Sequence, residues 1–142
     1  MRNQKGQAVV EFAVVLPLFL LVLFGIIYSG MLFYDYSSLS NLARSGAREA
    51  AISQNITTNI GNIENHYKGF IVDGEAGQNR LITSLYIPAD TDRPVVVSYD
   101  KDDESVGVTI TMKLNTASAL MQMVLPKEYK IEYFMKRDDS ST

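Results

Sequence analysis

The most prominent feature of the hydrophobic pattern is an uncharged run near the N-terminus. From Phe12 to Tyr34 there are 23 residues without a formal charge, rich in Leu, Val, Ile and Phe. As an α-helix this run is roughly 34 Å long, which is enough to cross the ~30 Å hydrocarbon core of a bilayer with some tilt. The pattern therefore predicts a transmembrane helix over residues 12–34 and a function that is tied to a membrane.

Helical periodicity continues beyond the apolar run. Apolar and small residues recur along one helical stripe: Leu39, Leu42, Ala43, Gly46, Ala47 and Ala50. We therefore predict one long helix from about residue 8 to about residue 52, whose small residues, Gly46 among them, allow another backbone to approach closely. Pro17 and Gly25 interrupt this helix, and Pro17 is expected to kink it because proline removes one backbone hydrogen bond.

The remaining pattern predicts a second helix and a small sheet. Apolar residues at helical spacing indicate a helix from Thr57 to about Phe70. Strict alternation indicates a strand over residues 106–115; three further candidate strands cover residues 81–87, 94–99 and 129–135. We expect an α+β fold in which a helical stem packs against a small antiparallel sheet.

Composition and charge narrow the possible functions. The chain has 142 residues and a net charge of −3, and it shows no basic stripe, which argues against nucleic acid as a partner. The absence of cysteine excludes a disulfide framework, thiol catalysis and cysteine-based metal sites. One membrane segment and one folded unit over residues 53–142 are the natural expectation for this length.

Charges that flank the apolar run predict its orientation. Arg2 and Lys5 precede the run, whereas the first charge after it is Asp35. The positive-inside tendency therefore places the N-terminus in the cytoplasm and the C-terminal domain outside. A cleaved secretory signal peptide is the alternative, but the run is too long and lacks a small-x-small cleavage site before Asp35.

One acidic turn is a weak candidate for a calcium site. Asp100, Asp102 and Glu104 alternate as ligands do in calcium loops. However, Ser105 and Thr111 stand where a calcium-binding helix-loop-helix motif requires Gly and Glu. A polar hairpin turn is therefore favoured, with calcium as the alternative.

No catalytic set can be assembled from this sequence. His66 is the only histidine, and a lone histidine is a poor candidate for a metal or catalytic site. No phosphate-binding loop, nucleophile-base set or paired catalytic carboxylates stand out. We therefore predict neither an enzyme nor a bound cofactor.

An apolar, methionine-rich connection lies between the last two predicted strands. The favoured interpretation of residues 119–126 is a buried crossover that completes the core. The alternative is an interaction surface for a partner subunit or for the outer face of the membrane. The residues of that candidate surface are Leu120, Met121, Met123, Val124 and Leu125.

A single carboxylate, Glu11, lies at the entrance of the apolar run. An ionised group at this position is costly unless it has a partner. This position therefore favours association of the helix with another copy of a similar helix.

The residues around Glu11 resemble a type IV prepilin processing site. In that family a short basic leader ends in Gly, a peptidase cuts after it, and Glu is the fifth mature residue; here Gly6, Gln7 and Glu11 have the matching spacing. The segments 6–17 and 41–51 resemble the TadE-like family of tight-adherence (Tad, or Flp) pilus proteins. The resemblance covers about residues 6–51.

The resemblance implies a minor pilin or pseudopilin. Residues 1–6 would be removed by the prepilin peptidase, and Glu11 would pair with the free amino group of a neighbouring subunit. The implied partners are the major Flp pilin, TadF-like and TadG-like proteins and the inner-membrane assembly platform. The protein would reside in the inner membrane and, after assembly, in the pilus. Gln7 departs from the Phe that begins many mature type IV pilins.

Two alternatives remain at this stage. The first is an uncleaved single-pass anchor that displays a small extracytoplasmic binding domain. The second is a secreted soluble domain, which would require loss of the whole apolar run.

Overall fold

The computed structural model of the protein describes residues 3–72, 85–116 and 118–137. Over these residues the elements are, in chain order, α1 (Asn3–Ile52), α2 (Ile56–Ile71), β1 (Tyr86–Pro88), β2 (Val95–Asp100), β3 (Ser105–Leu114), α3 (Ala119–Val124) and β4 (Glu128–Lys136). The chain divides into two compact units, Met1–Phe33 and Tyr34–Thr142, and α1 contributes to both. The predicted α+β fold is confirmed.

The first unit consists of the apolar part of α1. Its large side chains are exposed around the whole circumference, for example Phe12 at 64%, Phe19 at 60% and Leu21 at 69%. Among the described residues, one helix is long and apolar enough to cross a membrane, and it covers Gln7–Ile52. The helix runs through Pro17 without a break. A helix whose apolar side chains are exposed on all sides is suited to a lipid environment.

The second unit is organised around β3, the central strand. β4 pairs antiparallel along most of one edge of β3, from Ser105↔Lys136 to Lys113↔Glu128. β1 and β2 therefore share the other edge, with β2 beside the first half of β3 and β1 beside its end. The candidate strand over residues 81–87 corresponds in part to β1; residues 81–84 lie outside the described residues.

The core lies between the sheet, α2 and the C-terminal part of α1, which we call the stem (residues 34–52). The alternating side chains of β3 that the sequence pattern assigned to the core are fully buried: Val106, Val108, Ile110 and Met112. The predicted stripe of the stem is buried as well: Leu39, Leu42, Ala43, Gly46, Ala47 and Ala50. Burying one large aliphatic side chain stabilises a fold by about 1.5–3 kcal/mol. The burial of these two rows therefore stabilises the packing of the stem on the sheet.

The predicted second helix is confirmed as α2, and a polar clamp holds it to the edge of the sheet. The Arg93 guanidinium lies 2.8 Å from a Glu64 carboxylate oxygen. The same oxygen accepts the backbone N–H of Val97, at 2.9 Å. Glu64 thereby satisfies a backbone donor on the outer edge of β2, which would otherwise lack a partner strand.

The stem and β4 run in the same direction. Tyr36 lies 6.4 Å from the Tyr129 ring, and further along both elements Arg44 lies over the Tyr133 ring at 5.4 Å. Just beyond both elements, the Arg137 side chain donates a 3.4 Å hydrogen bond to the carbonyl oxygen of Gln54. The end of the sheet at which β4 begins is therefore the end beside the start of the stem.

Candidate functional site

The residues of the processing-like motif lie on the first turns of α1. Gln7 and Glu11 are four positions apart and therefore neighbours on one helix face. The Gln7 side-chain amide donates a hydrogen bond to Glu11 Oε1 at 3.3 Å. Within the described part of the chain, this neutral amide is the one partner of the Glu11 carboxylate. It satisfies one lone pair and leaves the negative charge uncompensated.

The surroundings of Glu11 are apolar. Val10 and Phe12, its neighbours in the chain, are each 64% exposed, and Val14 and Val15 follow at 63% and 59%. These side chains extend outward from the helix and would meet lipid or another helix. A carboxylate charge in such surroundings is strongly stabilised by a nearby cation that is also desolvated.

The two glycines assigned to helix packing differ in their surroundings. A Cβ atom built on Gly25 meets nothing within 4 Å. A Cβ atom on Gly46 would lie 3.5 Å from the Tyr67 ring and 3.6 Å from Val108. The close neighbours of Gly46 are thus side chains of α2 and β3 in the same chain. The roles of Pro17 and Gly25 in packing between subunits stay predictions.

A buried carboxylate lies at the start of the stem. Asp35 is 0% exposed and lies near Tyr86 and Tyr129. Burial raises the pKa of both tyrosines, and the Asp35 charge raises it further. The two tyrosine rings pack edge to face with centroids 4.7 Å apart. Sequence analysis missed this cluster because nothing local in the chain links Asp35 to tyrosines on two distant strands.

The tyrosine cluster also reaches the end of α3. The Tyr86 hydroxyl donates a 2.9 Å hydrogen bond to the carbonyl oxygen of Pro126. The Tyr129 hydroxyl is buried and makes no hydrogen bond to any described residue. The segment from Pro126 to Tyr129 is therefore held against the beginning of the stem.

The prediction of a buried crossover over residues 119–126 is wrong. The segment forms the short helix α3, on which Met123 is 84% exposed and Val124 is 82% exposed. Met121 is half-buried, and its sulfur accepts a contact of 3.6 Å from the Thr116 hydroxyl. High apolar content suggested burial, but α3 projects from the end of the sheet where no element of the described chain covers it.

The acidic turn is a hairpin turn, as predicted. Asp100 pairs with Ser105 at the end of the β2–β3 ladder. Its side chain accepts the backbone N–H of Asp102 at 3.0 Å, and Glu104 adopts a left-handed backbone with φ 49°. The described residues contain no cluster of three or more His, Asp or Glu side chains that could hold a metal ion, so the calcium alternative gains no support.

A groove of about 330 Å³, which sequence analysis did not anticipate, lies between the stem and α2. It is lined by Ser38, Asn41, Leu42, Ser45, Tyr67 and Phe70. The single histidine, His66, packs edge-on against the Tyr67 and Phe70 rings, with centroids 5.0 and 5.6 Å away. His66 therefore belongs to a cluster of aromatic side chains beside the groove.

These features fit a single-pass membrane protein with a small α+β domain. The model of the TadE-like protein family matches residues 6–48, which confirms the resemblance found in the sequence. The match includes the processing-like motif, the apolar run and most of the stem, and it associates the chain with the tight-adherence pilus. No curated protein and no solved structure matches the chain.

Proposed function

We propose that this protein is a minor pilin or pseudopilin that acts in the assembly of a tight-adherence pilus. The family match over residues 6–48 and the one membrane-length apolar helix among the described residues support this role. The role is structural: α1 enters a bundle of similar helices, and the α+β domain is displayed at the extracytoplasmic surface.

We further propose that the prepilin peptidase cleaves after Gly6. Residues 1–6 are then the leader, residues 7–52 the mature helix and residues 53–142 the remainder of the displayed domain. Cleavage leaves a new α-amino group on Gln7, one helical turn before Glu11. With an ordinary pKa of about 7.7–8.0, such an amine is largely cationic at neutral pH.

The single observation that carries this proposal is the environment of the Glu11 carboxylate. Its carboxylate stands among exposed apolar side chains with only a neutral amide as its partner in the described chain. The amine released by cleavage supplies the missing positive charge. On a neighbouring subunit that amine can approach Glu11 from outside the helix, so processing would couple directly to lateral association.

The remaining partners follow from the proposed role. The major Flp pilin and TadF-like and TadG-like proteins would contact α1, and the inner-membrane assembly platform would extract the subunit. The C-terminal domain faces outward in this account, in accordance with the basic residues that precede the apolar run.

Intact-mass analysis of the full chain tests the processing step. In cells that contain the peptidase, the mature protein should lack Met1–Gly6, and Gly6→Ala should retain them. Gly30→Ala is the matched control, since a Cβ atom there meets nothing within 4 Å, and it should be processed normally. Retention of residues 1–6 in the unaltered protein would contradict the proposal and favour the uncleaved single-pass anchor.

A further inference from the structure

The exposed residues of α3 point to a second membrane contact. Met123 and Val124, at 84% and 82%, are more exposed than any other large apolar side chain among the described residues. Single exposed apolar side chains are common on protein surfaces. Two adjacent ones at these values, on a helix of six residues without a charge, are unusual for a solvated loop.

The charges around α3 are arranged as in a segment that lies at a membrane interface. The 13 residues from Leu114 to Pro126 carry no formal charge. Exposed lysines, Lys113 and Lys127, stand immediately before and after them. Lysine ammonium groups remain at the headgroup level while neighbouring apolar side chains enter the acyl boundary.

The position of α3 decides what this surface faces. Pro126, two residues beyond α3, accepts the hydrogen bond from Tyr86, which lies beside Asp35. Asp35 is the first charged residue after the apolar run, so this end of the unit is the end at which the chain enters the proposed membrane span.

Exposed aromatic residues lie at the same end of the unit as Asp35. Tyr34 and Tyr36 are 53% and 52% exposed, and tyrosine is enriched where a membrane helix meets the headgroups. At the opposite end of the unit, Gln54, two residues beyond the stem, lies beside Arg137. The exposed face of α3 therefore lies at the end of the domain where the chain leaves the apolar run, and not at the opposite end.

We infer that α3 is an interfacial element, which inserts Met123 and Val124 into the surface of the phospholipid bilayer that α1 spans. Lys113 and Lys127 contact lipid phosphates on either side. This inference rests on the proposed membrane anchorage of α1. The contact between α3 and the bilayer holds the sheet against the membrane before the subunit is extracted. This contact must be released when the subunit enters the pilus.

Site-directed spin labelling of the full chain tests this contact. The chain contains no cysteine, so Met123→Cys can carry a nitroxide at one defined position. The labelled protein is reconstituted at low protein-to-lipid ratio in vesicles of phosphatidylethanolamine and phosphatidylglycerol. Collision of the nitroxide with oxygen, which concentrates in lipid, is compared with collision with a water-soluble nickel chelate.

Lys101→Cys is the matched control, because Lys101 is exposed on the hairpin turn at the far end of β3. We expect the label at position 123 to be rich in oxygen collisions and depleted in nickel collisions, and the label at position 101 to show the reverse. Val124→Cys gives an independent second position. Equal nickel accessibility at positions 123 and 101 would overturn the inference.

Two further outcomes separate the possible occupants and the two proposals. Spin–spin broadening at position 123 that grows with protein-to-lipid ratio, without oxygen enrichment, would identify another copy of the chain as the occupant and overturn the membrane contact. The vesicles contain no pilus apparatus, so leader removal plays no part in the result. If the label is exposed to water but the protein is processed and supports piliation in cells, only the membrane contact is overturned. If the label is embedded in lipid but the protein is never processed in cells, only the proposed function is overturned.

Discussion

The Tyr67 hydroxyl donates a 2.9 Å hydrogen bond to a Glu49 carboxylate oxygen and thereby joins α2 to the stem. Burial raises the pKa of Tyr67 to about 12, and the hydrogen bond and charge of Glu49 act in the same direction. Because the pKa is higher in the folded than in the unfolded protein, the stabilisation is complete below about pH 10 and is lost as the pH rises towards 12.

Tyr67→Phe should therefore lower the free energy of unfolding by about 1–3 kcal/mol at pH 8, since the hydrogen bond has a charged acceptor. Between pH 10 and pH 12, the free energy of unfolding of the variant should also fall less than that of the unaltered protein. Urea unfolding of the full chain in detergent, followed by far-ultraviolet circular dichroism at several pH values, measures both effects. A variant with the same alkaline dependence as the unaltered protein would show that Tyr67 does not contribute to the loss of stability at high pH.

The clamp between Glu64 and Arg93 should respond asymmetrically to substitution. Glu64→Ala removes the acceptor of the Val97 N–H and should cost about 1–3 kcal/mol. Arg93→Ala should cost clearly less than Glu64→Ala, because the Arg93 side chain is 60% exposed and its ion pair is screened by solvent. Equal losses in denaturant unfolding of the two variants would mean that the ion pair, and not the backbone contact, holds α2 to β2.

Gly46 provides a test of how tightly the stem packs on its own domain. Gly46→Ala should be tolerated, since its Cβ atom would make ordinary contacts at 3.5–3.6 Å, and alanine in a helix gains about 0.5–1 kcal/mol over glycine. Gly46→Leu should destabilise the domain by about 1–3 kcal/mol through overpacking against Tyr67 and Val108. Thermal unfolding of both variants in detergent measures the difference. Equal stability of the alanine and leucine variants would place this face of the stem away from the sheet.

Periodicity was sufficient to predict the main elements of the fold. The buried stripe of the stem and the alternation of Val106, Val108 and Ile110 both appear in local patterns of the chain, and both are confirmed. These predictions succeeded because each element buries one continuous face, and that face imposes its period on the sequence.

The clusters that join distant segments could not be predicted in this way. Asp35 looked like an ordinary first charge after the apolar run, and only the fold brings Tyr86 and Tyr129 beside it. Glu64 likewise meets Arg93 through the packing of α2 on β2. The apolar composition of α3 suggested burial because composition does not reveal whether a covering element is present.

The central claim is that Glu11 needs a cation from an adjoining subunit. The most direct measurement counts pili on cells in which the native copy carries Glu11→Gln, which keeps the size of the side chain and removes its charge. We predict that this variant is inserted in the membrane and processed at normal levels but that piliation is strongly reduced. Piliation at the level of the unaltered protein would contradict the account.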